Sequence, residues 1–381
     1  MKFPRIVLPF LLITQSLFAE SEKPAVQTID RQQIQQAIDK GLKWLESKQS
    51  PGGFWDSPEH PAITGLVLTA MERDPSRQHK DAASVKKGYD FVLSCVHPDG
   101  GIYKKDELLN YNTSICVMAL LAADEPVKYE PILRKARTFL IGQQMPSKEG
   151  KDNTYAGGIG YSDDDPHSDM SNMVMGLEAL RATEYLKGTE KSASTEKDLD
   201  WKAAIDFVQR CQNLSGSNKA KWVSDDSKDK GGFVYTPEES KPDPVTQPDG
   251  RETLRSYGSI TYAGLLSYIY TGLKKDDPRV SAVIEWTGKN YSINENPAMG
   301  NQGLYYYYHL LAKALATYGA DKLKLADGRE VDWKNDLAKK LISLQHEEGF
   351  WVNDNGRFWE KDPVLVTAYS VLALEQIYQA K

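Results

Sequence analysis

Cysteine is scarce in this 381-residue chain: Cys95, Cys116 and Cys211 are the only ones, and none sits in C-x-x-C spacing. Three such residues make neither a disulfide framework nor a cysteine-based zinc site. Positive charge is also outweighed. The 47 Lys and Arg face 53 Asp and Glu, a net charge of −6, which argues against the basic face that nucleic acid requires. Beyond the first residues, no apolar run approaches the ~20 residues that span a bilayer. Strand-like alternation is absent outside short turns. No G-x-x-x-x-G-K-S/T, strand-linked G-x-G-x-x-G or G-x-S-x-G occurs, so no cofactor is expected.

The chain opens with a leader-like segment. Lys2 and Arg5 precede a mostly apolar stretch from Ile6 to Phe18, with Ala19 as the cleavage residue. This pattern predicts a signal peptide over 1–19, a short linker over 20–29, and a secreted or periplasmic domain over 30–381. Peripheral contact with a membrane stays open. No partner subunit is indicated.

Self-similarity then organises the rest. Residues 40–55 read KGLKWLESKQSPGGFW and residues 87–103 read KGYDFVLSCVHPDGGIY. Residues 337–351 repeat the second half, and weaker copies start at 137, 205 and 283, six in all. Each copy holds an amphipathic helix such as that carrying Ile38, Leu42 and Leu45. A closing position follows: Gln49, Val96, Gln144, Gln212, Tyr291 or Gln345. A Gly turn comes next, where a side chain would clash. An aromatic anchors it: Trp55, Tyr103, Tyr161, Tyr235, Tyr305 or Trp351. A more apolar helix ends the copy. Six hairpins of this kind predict an all-α ring of about twelve helices, an (α/α)6 toroid with the apolar helices inside.

The first copy closely resembles the QW motif of squalene and hopene cyclases: Lys40-Gly41, Trp44-Leu45, Gln49, then Gly53-Phe54-Trp55. More broadly, residues 30–380 resemble the terpenoid cyclase and protein prenyltransferase superfamily. The resemblance implies the toroid, a central cavity and an isoprenoid-like apolar substrate. It also shows where the family's chemistry is missing. The Asp-x-Asp-Asp acid of class II cyclases aligns with Asp169-Met170-Ser171-Asn172, which puts Ser171 at the proton-donating position. The zinc ligands of prenyltransferases align with Tyr257-Gly258-Ser259 and Tyr308-His309, which keep one His and no Cys. No metal is expected, because a catalytic zinc wants three protein ligands.

The turns entering the inner helices face one end of the ring, and concave mouths host ligands. Their polar residues are the site candidates, and six helix N-termini there would favour an anionic group. His309, Asp169, Asp362 and His167 are the expected catalytic groups. His309 would be a base near neutral pH, and His167 an oriented partner of Asp169. Arg255, Tyr257, Tyr305, Tyr308, Tyr111, Asn112 and His60 are the expected binding residues. Asp362 is a candidate partner for Arg255, or a helix cap. Asp163 to Asp165 read as a solvated acidic turn. The Pro-rich stretch 236–253 reads as a lid, and 187–200 as an exposed insertion.

The ligand is therefore an unidentified small molecule or a glycan. Besides the isoprenoid reading, a polysaccharide lyase or hydrolase stays open. It would need two carboxylates roughly 5–9.5 Å apart, first Asp169 with Asp362. A non-catalytic protein-binding scaffold stays open as well.

Overall fold

The computed structural model describes residues 28–123, 125–146, 154–162, 167–187 and 198–380. The expected leader over 1–19, the acidic turn at 163–165 and most of the 187–200 insertion lie outside the described residues. Twelve α-helices occur among the described residues. Outer helices are α1 (Arg31–Ser47), α3 (Ala83–Leu93), α5 (Pro126–Gly142), α7 (Trp201–Arg210), α9 (Pro278–Asn290) and α11 (Trp333–Leu344). Inner helices are α2 (Pro61–Arg73), α4 (Leu109–Ala122), α6 (Met170–Ala182), α8 (Gly258–Tyr270), α10 (Leu304–Tyr318) and α12 (Pro363–Gln379). Each inner helix packs on the next, and α12 packs on α2, so the ring closes. The fold is an α/α toroid. The only strands among the described residues are two antiparallel two-residue pairs, Val245–Thr246 with Glu252–Thr253 and Leu323–Lys324 with Glu330–Val331. No helix among them is long and apolar enough to cross a membrane.

The repeat explains the closure. α1 shows one buried stripe, with Ile34, Ile38, Leu42 and Leu45 inside; α12 is buried nearly throughout, from Val364 to Glu375. A helix apolar on one stripe lies outside, and one apolar all round lies inside. Between them, the Gln present in four of the six copies ties its turn to the following outer helix. Gln212 Nε2 donates to Gly231 O (3.1 Å) and to Arg279 O in α9 (3.0 Å). Gln49 and Gln144 make the same two bonds, the second reaching Ser84 O and Asp200 O. Gln345 reaches its own Gly349 O and Ala37 O of α1, so the last turn is stitched to the first helix.

Glycine is required at these turns for two reasons. Gly231 has φ +97°, and a Cβ there would lie 2.2 Å from Ala282 O of α9. Gly349 has φ +104°, and its Cβ would lie 2.5 Å from Lys40 O of α1. At Gly53, Gly100, Gly157, Gly231 and Gly349, backbone thus docks on the backbone of the neighbouring outer helix. The inner helix completes the turn with a threonine. Thr64, Thr113, Thr261 and Thr367 Oγ1 accept from the backbone N–H of Trp55, Ile102, Phe233 and Trp351.

Candidate functional site

The N-terminal ends of the inner helices meet at one mouth of the ring. Below them lies a cavity of about 450 Å³. Its wall is aromatic: Tyr111, Tyr161, Tyr235, Tyr257, Tyr306 and Tyr369, with Phe358 and Trp359 at the rim. Tyrosine hydroxyls pair within it, Tyr161 with Tyr235 at 3.3 Å and Tyr111 with Tyr369 at 3.4 Å. Among the described residues, no carboxylate lines it. The one charged lining group among the described residues is Lys241, whose ammonium sits 3.8 Å from the Tyr235 ring centroid and 2.8 Å from Glu239. Lys241 is the part of the Pro-rich stretch that reaches the cavity. The 245–253 hairpin of that stretch is bound instead to the 221–223 backbone through Arg251.

A second chamber, about 50 Å³, lies deeper in the bore and shares Met175, Tyr306 and Tyr369 with the first. These three form the floor between the chambers, with Tyr306 and Tyr369 ring centroids 5.7 Å apart.

The expected acids are employed as helix caps. Asp169 is 2% exposed. Its carboxylate accepts from Ser171 N, Asn172 N and Asn172 Nδ2 at 2.8, 3.0 and 2.7 Å. Burial pushes its carboxyl up to about 6, against the hydrogen bonds from Asn172, Ser171 and Tyr235. It sits one layer behind Tyr161 and Tyr235. Asp362 caps α12 through Val364 N (2.7 Å) and Leu365 N (3.4 Å). Burial, and then the neighbouring Asp56 carboxyl, push it up to about 6. Neither acid lines the cavity.

Other inner helices are capped from a neighbouring segment. Asn112 Oδ1 accepts from Ala62 N of α2, and Asn296 Oδ1 from Ser259 N of α8. Glu360, fully buried, accepts from Tyr306 N of α10 at 2.8 Å and from Asn353 Nδ2 at 2.6 Å. The expectation that the inner N-termini would hold an anion is therefore corrected for α2, α6, α8, α10 and α12, where side chains already occupy donors; α4 has no side-chain cap.

The remaining candidates divide by helical phase and by partner. Tyr111 and Tyr257 line the cavity. Tyr305 and Tyr308 do not; they turn away from it, ring against ring at 5.7 Å, with Tyr308 Oη donating to Ile293 O. Tyr306, between them in the four-tyrosine run, faces the bore. His309, three residues on, shares that face but lies below the floor in the lower chamber, stacked on Tyr369 at 5.4 Å. Burial holds it neutral, well below its ordinary range, and its Nδ1 has no hydrogen-bond partner. Asn112 is buried behind the wall as a cap. His60 stands at the rim, tilted against Trp359 at 5.3 Å. Arg255 pairs with Asp229 at 3.7 Å, not with Asp362. His167 is exposed, edge-on to Tyr155, while Asp169 is buried.

Sequence reasoning had marked Tyr161 and Tyr235 only as turn anchors. It placed the run Tyr305 to His309 at the mouth but chose Tyr305 and Tyr308 over Tyr306, and it missed Tyr369, Phe358 and Trp359 as wall. The signal for Tyr306 was present: in a run of four tyrosines, a helix can point only one face inward. Phe358 and Trp359 gave none. They have φ +59° and +63°, and exposed aromatic side chains, and only the fold brings them to the rim.

The class this architecture defines is the α/α toroid with a ligand-sized aromatic bore. The fold is similar to that of the type II terpene cyclase MstE from Scytonema, with a TM-score of 0.54 at 12% identity, over 93% of this chain and all of that one. It is equally similar to the GH76A alpha-1,6-mannanase from Salegentibacter sp. HEL1_6, with a TM-score of 0.55 at 11% identity, over 91% of this chain and all of that one. The cyclase has been solved with geranylgeranyl dihydroxybenzoate as substrate, and the mannanase, as an inactive variant, with alpha-1,6-mannotriose. At these identities the likeness is one of fold. No protein-family model matches the sequence, and no curated protein does.

Proposed function

We propose that the chain is a binding protein for an apolar, isoprenoid-class ligand, held in the aromatic mouth cavity. The observation that carries this is the wall itself: six tyrosines and a tryptophan round about 450 Å³, with no carboxylate among the described residues that line it. That volume lies within the range of small-molecule sites. Ring faces pack against apolar chains and stabilise cationic character. Paired hydroxyls leave few free polar groups to engage a sugar. The glycoside-hydrolase alternative loses its acid pair, since Asp169 and Asp362 are both spent on helix N-termini.

Any reaction on the ligand has one proton store close by, Asp169 behind Tyr235 and Tyr161. A carboxyl near 6 is a weak acid for alkene protonation, so binding is the better supported role. With the leader-like residues 1–19, this reading places the protein outside the cytoplasm, which N-terminal sequencing of the secreted form would test by a start at Glu20.

The experiment is a thermal-shift and calorimetric comparison of farnesol, alpha-1,6-mannotriose and a mixed peptide pool. A ligand that binds only the folded state raises its melting temperature. Farnesol should stabilise the wild type, and Tyr235→Ala and Trp359→Ala should each weaken binding at least tenfold. Binding of mannotriose but not farnesol would overturn the reading in favour of a glycan site. A response to peptides alone would favour a scaffold.

A further inference from the structure

The bottom of the bore contains a guanidinium that makes no hydrogen bond or ion pair among the described residues. Arg73 lies in the last turn of α2, half-buried, and lines the lower chamber. Among the described residues its guanidinium has no hydrogen-bond or ion-pair partner; outside its own helix only its carbonyl is engaged, by Gln379 Nε2 at 3.4 Å. The other charges around the chamber are settled. Lys313 and Glu178 pair with each other at 2.8 Å, both largely buried. Glu375 is 1% exposed with both oxygens unpartnered; burial pushes its carboxyl up, against the nearby Arg73 charge, and it makes no ion pair with that guanidinium. His309 is buried and neutral, and lines the same chamber.

A guanidinium cannot shed its proton to escape a poor environment. An unpaired one beside an enclosed chamber is costly. The C-terminal ends of the inner helices ease part of that cost, but their carbonyls do not supply a forked, planar acceptor. A carboxylate does, with two parallel bonds to the guanidinium. A second observation points to the same chamber: His309 Nδ1, on a side chain 6% exposed, has no partner and, in the tautomer protonated there, is a neutral donor. Five of the six mouth N-termini already hold side-chain caps, whereas this chamber holds an unpaired guanidinium.

We infer that the lower chamber is a carboxylate site, with Arg73 as its forked donor and His309 as a neutral second donor. The carboxylate has two sources. It is a small free acid, or it is the head of an apolar acid whose body crosses the Tyr306–Tyr369 floor into the aromatic cavity. The second source rests on the proposed function; the site itself does not.

The test has two probes on the full chain. The first is carbon-13 acetate, read by NMR line broadening and displaced by formate. The second is farnesoic acid against farnesol, read by calorimetry. Arg73→Gln and Arg73→Lys are run beside the wild type; the lysine variant keeps the charge without the fork, and so keeps the test readable if the neutral variant fails to fold. Broadening by the wild type that is lost in Arg73→Gln and weakened several-fold in Arg73→Lys supports the site. If farnesoic acid also binds at least tenfold tighter than farnesol, and Arg73→Gln removes that excess alone, the head group of an apolar acid is the source. Equal binding of acid and alcohol, with acetate bound, assigns a small free acid. No acetate broadening together with equal binding of acid and alcohol overturns the inference. If farnesol itself does not bind, the proposed function fails while the acetate arm still decides the site.

Discussion

Glu360 shows how one buried acid couples the mouth of the ring to pH. Its carboxyl caps α10 from another segment, and burial pushes it up to about 7 from 4.5, against the hydrogen bonds it accepts. An unfolded Glu releases its proton near 4.5 while the folded one holds it to about 7. Folding therefore binds a proton between those values. The stabilisation is fully present below 4.5 and is lost as pH rises through 7, at a slope of at most about 1.4 kcal/mol per pH unit. Asp169 acts with the same sign, from 3.8 to about 6. The expected outcome is a melting temperature that falls between pH 5 and 8, and a shallower fall in Glu360→Gln. A wild-type profile that rises across that range would refute the assignment. For Asp169, replacement by Asn keeps an oxygen for the cap and should cost under about 1 kcal/mol. Replacement by Ala leaves Asn172 Nδ2 unpaired in the interior and should cost roughly 1–3 kcal/mol. Urea denaturation of the two variants compares them directly.

At the level of elements, the joint between a turn and the following outer helix is the unit that repeats. Gly231→Ala forces a Cβ to within 2.2 Å of Ala282 O in a left-handed conformation. Gly250 has a similar φ, +80°, but open space around its Cβ. The two variants therefore separate steric from conformational cost. Gly250→Ala should lose about 1–2 kcal/mol, and Gly231→Ala clearly more, because backbone must move. Equal losses in denaturant melts would show that the close approach is not limiting. Gln212→Ala, which strips two carbonyl acceptors of their donor, should cost roughly 1–3 kcal/mol. The second and fifth joints lack this Gln, with Val96 and Tyr291 in its place.

For the whole molecule, the decisive contact is closure. α12 packs on α1 and α2, and Arg31 stacks over the Tyr378 ring at 5.3 Å, so residues near 30 and near 380 are neighbours. A circular permutant of residues 28–380, joined by a short linker and opened at the exposed 247–250 turn, should fold with a helical spectrum and a melting temperature within several degrees of the parent, since permutation at such sites keeps the core contacts. Loss of cooperative melting in the permutant would mean that closure alone does not hold the ring. Removing α12 instead exposes the faces of α2 and α10 and should abolish a soluble folded state.

The sequence alone determined the ring. Periodicity of 3.6 residues, a Gly turn that tolerates no side chain, and a Gln that must find carbonyls are local requirements, so six copies of them are legible without coordinates. The site was legible only in outline. Tyr111 and Tyr257 could be placed at the mouth because they start inner helices. Whether Tyr305 or Tyr306 faces inward, and whether His309 lies above or below the floor, depends on helix phase and axial depth, which spacing does not set. Tertiary structure decided that Asp169 and Asp362 cap helices, that Arg255 belongs to Asp229, and that Arg73 stands unpaired over a second chamber. Those are facts about which side chains meet across the bore, between residues up to hundreds of positions apart, and no local pattern encodes them.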